Sequence, residues 1–353
     1  MRRSEVLQAI AANETLADVD LTGIDLSGLD LTGGRFEDCS FKGGDLSGAR
    51  ILKTSFRRCD FSGVRFHGTD LTKANFMKMN FAGASFQGAT LHETLLTHTN
   101  LAQADFSGCF VSWTLMQHAN LTGANFKKTR FEKALLQHTE LIGADFTGAD
   151  LLKVMFNGSD LTDANFKGAH FNKILFQGCK LAGQDFKGAR FLQVNAAQAD
   201  LTGADFSGAD LQYSTFMEAD LTGANLTGVR AQNALFKGAV LKNTMFKEAD
   251  LSHAFFGECD ATGADFTRAT LLNSIFTKAK CRAAVFANAY CAYADFSHAD
   301  LTAADFSGAN LYAAKLHRII EDHTQWDGAN RLLVKGTDEE MAEAEKWCPP
   351  VEK

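Results

Sequence analysis

Leucine or phenylalanine occupies almost every fifth position of this 353-residue chain between Leu16 and Leu316. An α-helix repeats about every 3.6 residues and a β-strand every 2, so neither element explains this spacing. A fixed period sustained over most of a chain is typical of a solenoid, in which each coil packs against its neighbours. The sequence therefore predicts one elongated repeat unit rather than several globular domains.

The local unit reads Ala-[Asp/Asn]-[Leu/Phe]-x-Gly, as at residues 144–148 and 204–208. One small and one large apolar side chain in every five would point inward, and the glycine permits a turn. Most of the phenylalanines in this frame fall into two sets ten residues apart, one beginning at Phe36 and the other at Phe66. A 20-residue coil with four sides follows, with Phe stacked on one opposite pair of sides and Leu on the other.

This pattern resembles the pentapeptide repeat family over residues 14–318. The resemblance implies an all-β fold, a right-handed quadrilateral β-helix of about 15 coils. We expect an N-terminal helical cap at residues 1–13 and a degenerate repeat followed by a C-terminal helical cap at residues 319–353. In the C-terminal cap, Thr337 is the predicted N-cap and Pro349 ends the helix.

Seven of the eight cysteines fall in inward positions of the repeat, which predicts buried, unreactive thiols suited to a reducing cytosol. These seven are Cys39, Cys59, Cys109, Cys179, Cys259, Cys281 and Cys291. Cys348, in the C-terminal tail, is the one cysteine expected to react. The sequence shows neither a signal peptide nor a transmembrane run, so we expect a cytoplasmic protein that does not bind membranes.

The sequence contains no catalytic motif, phosphate-binding loop or dinucleotide fingerprint, which predicts a protein that is not an enzyme and needs no cofactor. His98, His118 and His138 are 20 residues apart and should stack on three consecutive coils. A metal or anion site at this ladder is the weaker interpretation. A surface hydrogen-bonding or stacking ladder is the favoured one.

Acidic residues and asparagine are frequent at the outward position just before each Leu or Phe, as at Asp145 and Asp205. Some pentapeptide repeat proteins imitate duplex DNA and bind DNA gyrase, so the resemblance implies gyrase as an alternative partner. The competing interpretation is that these side chains cap the local backbone turn. The net charge of −7, with 42 acidic and 35 basic residues, is modest for a DNA mimic.

One outward position is different: from Leu95 onward it is mainly apolar and never acidic as far as Ile275. Lys133, Lys153 and Lys173 should form a basic edge along one side, with the histidine ladder along the other. An aligned apolar stripe of this kind predicts a protein-binding or self-association surface. Its predicted residues are Leu95, Trp113, Leu115, Leu135, Met155, Leu175, Leu235, Phe255 and Ile275.

We therefore expect a non-catalytic scaffold or adaptor that presents a rigid rod with an apolar stripe, without direct contact to nucleic acid. The start of the repeat, at residues 16–23, is similar to pentapeptide modules encoded beside type VI secretion effector adaptors of Gram-negative bacteria. That similarity suggests a bacterial type VI secretion accessory as the setting.

Overall fold

The structure is a computed structural model that describes residues 1–346. The chain divides into two compact units, one from Met1 to Asp185 and one from Phe186 onward. Both units are all-β solenoids, as the sequence predicts. Among the described residues, no helix has the length and apolarity needed to cross a bilayer.

The regular elements of the described chain are short. The first unit contains α1 (Arg3–Ala11), β1 (Thr15–Ala17), β2 (Arg35–Glu37), β3 (Ser55–Arg57), β4 (Thr90–His92), β5 (Phe110–Ser112), β6 (Arg130–Glu132), β7 (Asp150–Leu152) and β8 (His170–Asn172). The second contains β9 (Phe191–Leu192) and α2 (Glu339–Ala344).

All strand pairing is parallel and joins residues 20 positions apart, which confirms the predicted length of a coil. In the first unit Leu16 pairs with Phe36, and Val111 pairs with Phe131. In the second unit the same register appears as single bridges, such as Thr215 to Leu235. Each coil thus supplies hydrogen bonds to the next, and the four bridge positions per 20 residues define four sides.

Strands are sparser than the predicted figure of about 15 coils suggests, because only nine stretches of the described chain form strands. The other sides pair through isolated bridges. The strands are short because the second residue after each Leu or Phe has a positive φ, whether it is Gly108 at 67° or Gln103 at 59°. A left-handed residue at every corner leaves at most three extended residues per side.

The core consists of stacked phenylalanines on opposite sides, with edge-to-face contacts across the middle. In the first unit the rings of Phe106 and Phe126 stack with centroids 5.0 Å apart, and Phe146 meets Phe156 at an interplanar angle of 88°. The second unit repeats this, with Phe256 stacked on Phe276 at 4.5 Å. Such offset and T-shaped pairs are favourable aromatic geometries.

The two predicted terminal helices are present. In α1 the side chains of Val6 and Ala9 are buried. The N-cap of α2 is Asp338, whose carboxylate accepts a hydrogen bond from the backbone amide of Met341. The prediction of Thr337 as N-cap was wrong, because its hydroxyl accepts a hydrogen bond from the backbone of Arg318 instead. The predictions for Cys348 and Pro349 lie outside the described residues.

The seven cysteines in the repeat are all buried and free, as predicted. Burial raises the pKa of Cys109 and of Cys179 to about 12, which keeps both thiols protonated. Cys39 and Cys59 each donate a hydrogen bond to a backbone carbonyl, and the neighbouring Cys59 thiol lowers the pKa of Cys39 to about 7.

Candidate protein-binding face

The predicted apolar stripe of the first unit lies on one side of five consecutive coils. Single β-bridges join Leu95, Leu115, Leu135, Met155 and Leu175 in order. All five side chains are half-buried. Their outward direction follows from the pleat, because the residues before and after each of them face the core. The five residues form one continuous apolar strip, called here the leucine face.

A groove of about 410 Å³ lies on the leucine face. Its lining residues are Trp113, Leu115, Lys133, Leu135, Lys153 and Met155. Trp113 is 52% exposed and stands at the edge of the groove. The ammonium group of Lys133 lies 4.3 Å from the centroid of the Trp113 ring, a cation–π contact. Sequence reasoning placed Trp113 beside the stripe but did not foresee this contact.

Trp113 has a positive φ of 51°, the left-handed conformation that most side chains avoid. A non-glycine residue in this conformation costs roughly 1–2 kcal/mol. Among the described residues, however, the same conformation recurs at each corner of the repeat, and more of these corners hold a non-glycine residue than a glycine. The exposed aromatic ring, rather than the backbone conformation, therefore distinguishes Trp113 from the other corners of this side.

Charge on this side of the coils is mainly positive. Lys133, Lys153 and Lys173 follow Trp113 on successive coils along one edge. Lys133 approaches Glu132 at 3.8 Å, whereas Lys153 and Lys173 have no ion-pair partner among the described residues. Four of the five segments that make up this side contain no aspartate or glutamate, namely residues 113–118, 133–138, 153–158 and 173–178. The fifth segment, residues 93–98, carries Glu93, which pairs with Lys73 at 3.6 Å.

The histidine ladder runs along the opposite edge. The imidazole rings of His98 and His118 stack with centroids 4.8 Å apart, and those of His118 and His138 at 5.4 Å, with both pairs nearly parallel. Ring nitrogens bind in the plane of the ring, so parallel stacked rings do not aim them at one point. This geometry favours the stacking interpretation over the metal interpretation. The stack ends on Gly158, where a Cβ would lie only 2.6 Å from Nδ1 of His138.

The remaining predicted stripe residues lie in the second unit. There, bridges join Thr215, Leu235, Phe255 and Ile275 in order, followed by Asp295. Leu235 is 42% exposed and Ile275 is 36% exposed. The Phe255 ring folds toward Gly257, where a Cβ would lie 2.6 Å from the ring carbons. This second strip is shorter and ends in a charged residue.

The outward carboxylates mostly serve the backbone. Asp145, for example, accepts a hydrogen bond from the backbone amide of Thr147 at 2.9 Å, and the same two-residue contact recurs at many coils. Several also pair with a basic residue on a neighbouring coil, such as Asp160 with Lys180 at 2.8 Å. Carboxylates engaged in turns and ion pairs are poor stand-ins for the free phosphates of DNA.

A second group of polar residues, not foreseen from the repeat, lies near the end of the second unit. Ligand atoms of His298, His317 and Glu345 lie within 4.8 Å of one another, the only such potential metal-ligand group among the described residues. However, Nδ1 of His317 accepts a hydrogen bond from the Asp338 amide, so the neutral ring carries its proton on Nε2. That nitrogen then faces Glu345 at 3.5 Å without a lone pair for a metal.

Glu345 is the centre of this group. Its carboxylate accepts hydrogen bonds from Arg318 at 2.8 Å and from Nε2 of His298 at 3.1 Å. The Arg318 contact is the main cause that lowers the pKa of Glu345. The arrangement fits a clamp that holds the end of α2 against the last coils better than it fits a metal centre.

Similar solved structures include HetL from the cyanobacterium Nostoc sp. strain PCC 7120, a protein involved in heterocyst differentiation regulation. It is 22% identical, with 77% of this chain and 97% of that chain covered and a TM-score of 0.24. QnrB1, a plasmid-mediated fluoroquinolone resistance protein, is 24% identical, with 57% and 83% covered and a TM-score of 0.28. Rfr23 from the cyanobacterium Cyanothece 51142 is 15% identical, with 48% and 97% covered and a TM-score of 0.15.

No curated protein sequence matches this chain. Two family models do. The model described as pentapeptide repeat region matches residues 34–110, 116–186 and 149–226. The model described as pentapeptide repeats (8 copies) matches residues 214–252, 246–280 and 279–318. Together these matches span most of the chain, and the chain belongs to the pentapeptide repeat family.

Proposed function

We propose that this protein is a non-catalytic scaffold whose first unit binds another protein through the leucine face. The observation that carries the proposal is the groove lined by Trp113, Leu115, Leu135 and Met155. Apolar side chains aligned on successive coils, with an exposed tryptophan at the rim, match the composition of protein-binding hot spots.

The solenoid suits this role because it holds the face rigid. Each Leu on the face lies between two residues that fill the core. Its own amide and carbonyl bond to the preceding coil, and for Leu115 the flanking residues Thr114 and Met116 bond to the following coil. A partner therefore meets a surface that is already ordered, which lowers the entropic cost of association.

Two narrower ideas from the sequence are weaker. Gyrase binding by DNA mimicry depends on free carboxylates, and many of those here are occupied by turn amides or by basic side chains. The type VI secretion setting depends only on the start of the repeat, where residues 15–17 form an ordinary first strand. The scaffold proposal needs neither of them.

The test compares the wild-type chain with the double variant Leu115→Thr and Leu135→Thr. Threonine occupies the equivalent position at Thr215, so the repeat accepts it there. The control is Ile142→Thr, since Ile142 is 41% exposed on a different side of the first unit and the coils before and after it carry Thr122 and Thr162.

Affinity capture and sedimentation would be measured with all three proteins. We expect the double variant to lose partners or self-association that the wild type and the Ile142→Thr control retain. Identical partner sets and identical sedimentation for all three proteins would overturn the proposal.

A further inference from the structure

We infer that the partner segment that occupies the groove is an acidic amphipathic α-helix. This inference rests on the proposed function, since it names the chemistry of the partner that the leucine face binds. Three features of the face support it: its backbone is fully paired, its charge is positive, and its apolar residues repeat at a spacing close to one turn of a helix.

The backbone of the face is closed to strand addition. The amide of Leu115 donates to the Thr94 carbonyl at 3.0 Å, and its carbonyl accepts from the Leu96 amide at 2.7 Å. The same is true of Leu135, whose amide donates to Thr114. A β-strand partner needs free amide and carbonyl groups at a sheet edge. Recognition at this face must therefore use side chains.

The spacing of the face favours a helix over an extended chain. Successive coils are about 5 Å apart, as the 5.0 Å between the ring centroids of Phe106 and Phe126 shows. A helix advances about 5.4 Å per turn, so its apolar stripe presents a side chain at nearly each coil. Side chains on one face of an extended chain are about 6.7 Å apart and fall out of step after one coil.

Charge selects an acidic partner. Lys133 and Lys153 line the groove, and Lys173 follows them on the next coil. The five segments of this side contain one carboxylate, Glu93, which already pairs with Lys73 at 3.6 Å. Trp113 and the stem of Lys133 would cover the apolar stripe of the helix, while the ammonium groups meet glutamates beside that stripe. A second copy of this chain would bring three more lysines against one carboxylate, Glu93, which is already paired with Lys73, so self-pairing of the face lacks this complementarity.

The experiment uses the full chain and three stapled helical peptides labelled with a fluorophore. One peptide has a leucine stripe flanked by glutamates, one has the same stripe flanked by lysines, and one has the acidic composition with its stripe scrambled. We expect fluorescence anisotropy to show the acidic amphipathic peptide binding at least tenfold more tightly than either other peptide. Its affinity should fall as salt rises, because screening weakens the lysine contacts.

Two variants locate the binding. Leu135→Thr should abolish most of the binding, because Leu135 lines the apolar groove. The double variant Lys153→Gln and Lys173→Gln should reduce both the affinity and its salt dependence. Ile142→Thr is the matched control and should bind as the wild type does. Circular dichroism of each variant verifies that the fold is retained.

Equal binding of the acidic and basic peptides, or of the scrambled peptide, would overturn the inference. Stronger binding to vesicles of anionic lipid than to the acidic peptide would also overturn it, in favour of a membrane ligand. In either case the scaffold proposal stands if the Leu115→Thr and Leu135→Thr variant still loses its captured protein. That proposal fails separately if this variant keeps every partner.

Discussion

Replacing Trp113 with glycine separates binding from folding at the groove. The residue sits at a corner with φ 51°, a conformation that glycine adopts without penalty. If Trp113 is a binding anchor at a corner with positive φ, Trp113→Gly should weaken binding of the partner while hardly changing the stability of the fold. If Trp113 only stabilised the fold, Trp113→Gly would lower stability and leave binding of the partner unchanged.

The expected change in stability comes from three terms of similar size. Relief of the left-handed conformation contributes roughly 1–2 kcal/mol in favour of the variant. The greater freedom of glycine in the unfolded chain costs about 0.5–1 kcal/mol. Loss of the Lys133 contact over the indole, at 4.3 Å, costs about 0.5–1 kcal/mol for an exposed pair. The net change in unfolding free energy should therefore lie within about 1 kcal/mol of zero.

Tyr213→Gly provides the matched control in the second unit. Tyr213 occupies the equivalent corner with φ 57° and is 64% exposed. Tyr213→Gly should be stabilised by the same relief of the left-handed conformation and destabilised by the same freedom of glycine in the unfolded chain. It loses no cation–π contact. The difference between the two variants then isolates the Lys133 contact at about 0.5–1 kcal/mol.

Urea denaturation followed by circular dichroism measures stability, and anisotropy with the acidic peptide measures binding. Truncating an anchor residue typically costs about 2 kcal/mol or more, so Trp113→Gly should raise Kd about 30-fold. Tyr213→Gly should leave Kd unchanged. A loss of more than about 3 kcal/mol of stability, or an unchanged Kd for Trp113→Gly, would refute the reasoning.

Further predictions concern the core, the corners, the thiols and the pH response. Phe126→Ala, which removes a buried stacked ring, should lower the unfolding free energy by about 3–5 kcal/mol in urea denaturation; a loss below 1 kcal/mol would contradict the core model. Gly158→Ala and Gly143→Ala should each cost roughly 1–2 kcal/mol from φ near +65°, and only the first should also disturb the His138 stack, so equal losses would mean that the stack contributes nothing. In the native protein, a thiol reagent should modify at most one of the eight cysteines rapidly, and rapid modification of several would refute their burial. Burial opposes ionisation of Asp145, but the Thr147 hydrogen bonds and Lys127 outweigh it and lower its pKa. The stability contributed by this carboxylate is therefore present above the usual aspartate range and lost as pH falls through the lowered pKa, so Asp145→Asn should make acid unfolding shallower, and an unchanged acid midpoint would contradict this.

Much of the fold follows from the repeat, because its information is local and periodic. The inward positions, the 20-residue register, the stacked phenylalanines and the burial of seven cysteines can each be assigned by position in the frame. Which sides form a three-residue strand and which form a single bridge could not be assigned, since left-handed corners recur at every side and do not distinguish them. The N-cap of α2 could not be assigned from the repeat either. Thr337 and Asp338 are both suitable, and Asp338 is the N-cap because the Thr337 hydroxyl accepts a hydrogen bond from Arg318.

The candidate site divides in the same way. The sequence by itself determined which residues face outward on one side, so Leu115 and Leu135 could be placed on a common face before any coordinates. Only the tertiary structure decided that this face is a groove, because its depth depends on how Trp113 turns at its corner and how Lys133 covers the ring.

Contacts that break the period were beyond the sequence for a further physical reason. His298 and Glu345 are 47 positions apart and meet only because a non-repeating helix folds back onto the last coils. The repeat period predicts the side and direction of each residue inside the solenoid, but it predicts neither for a segment that leaves the solenoid. Repetition thus determines the core and the direction of each side chain, whereas side-chain rotamers and the docking of the chain end are decided by packing in three dimensions.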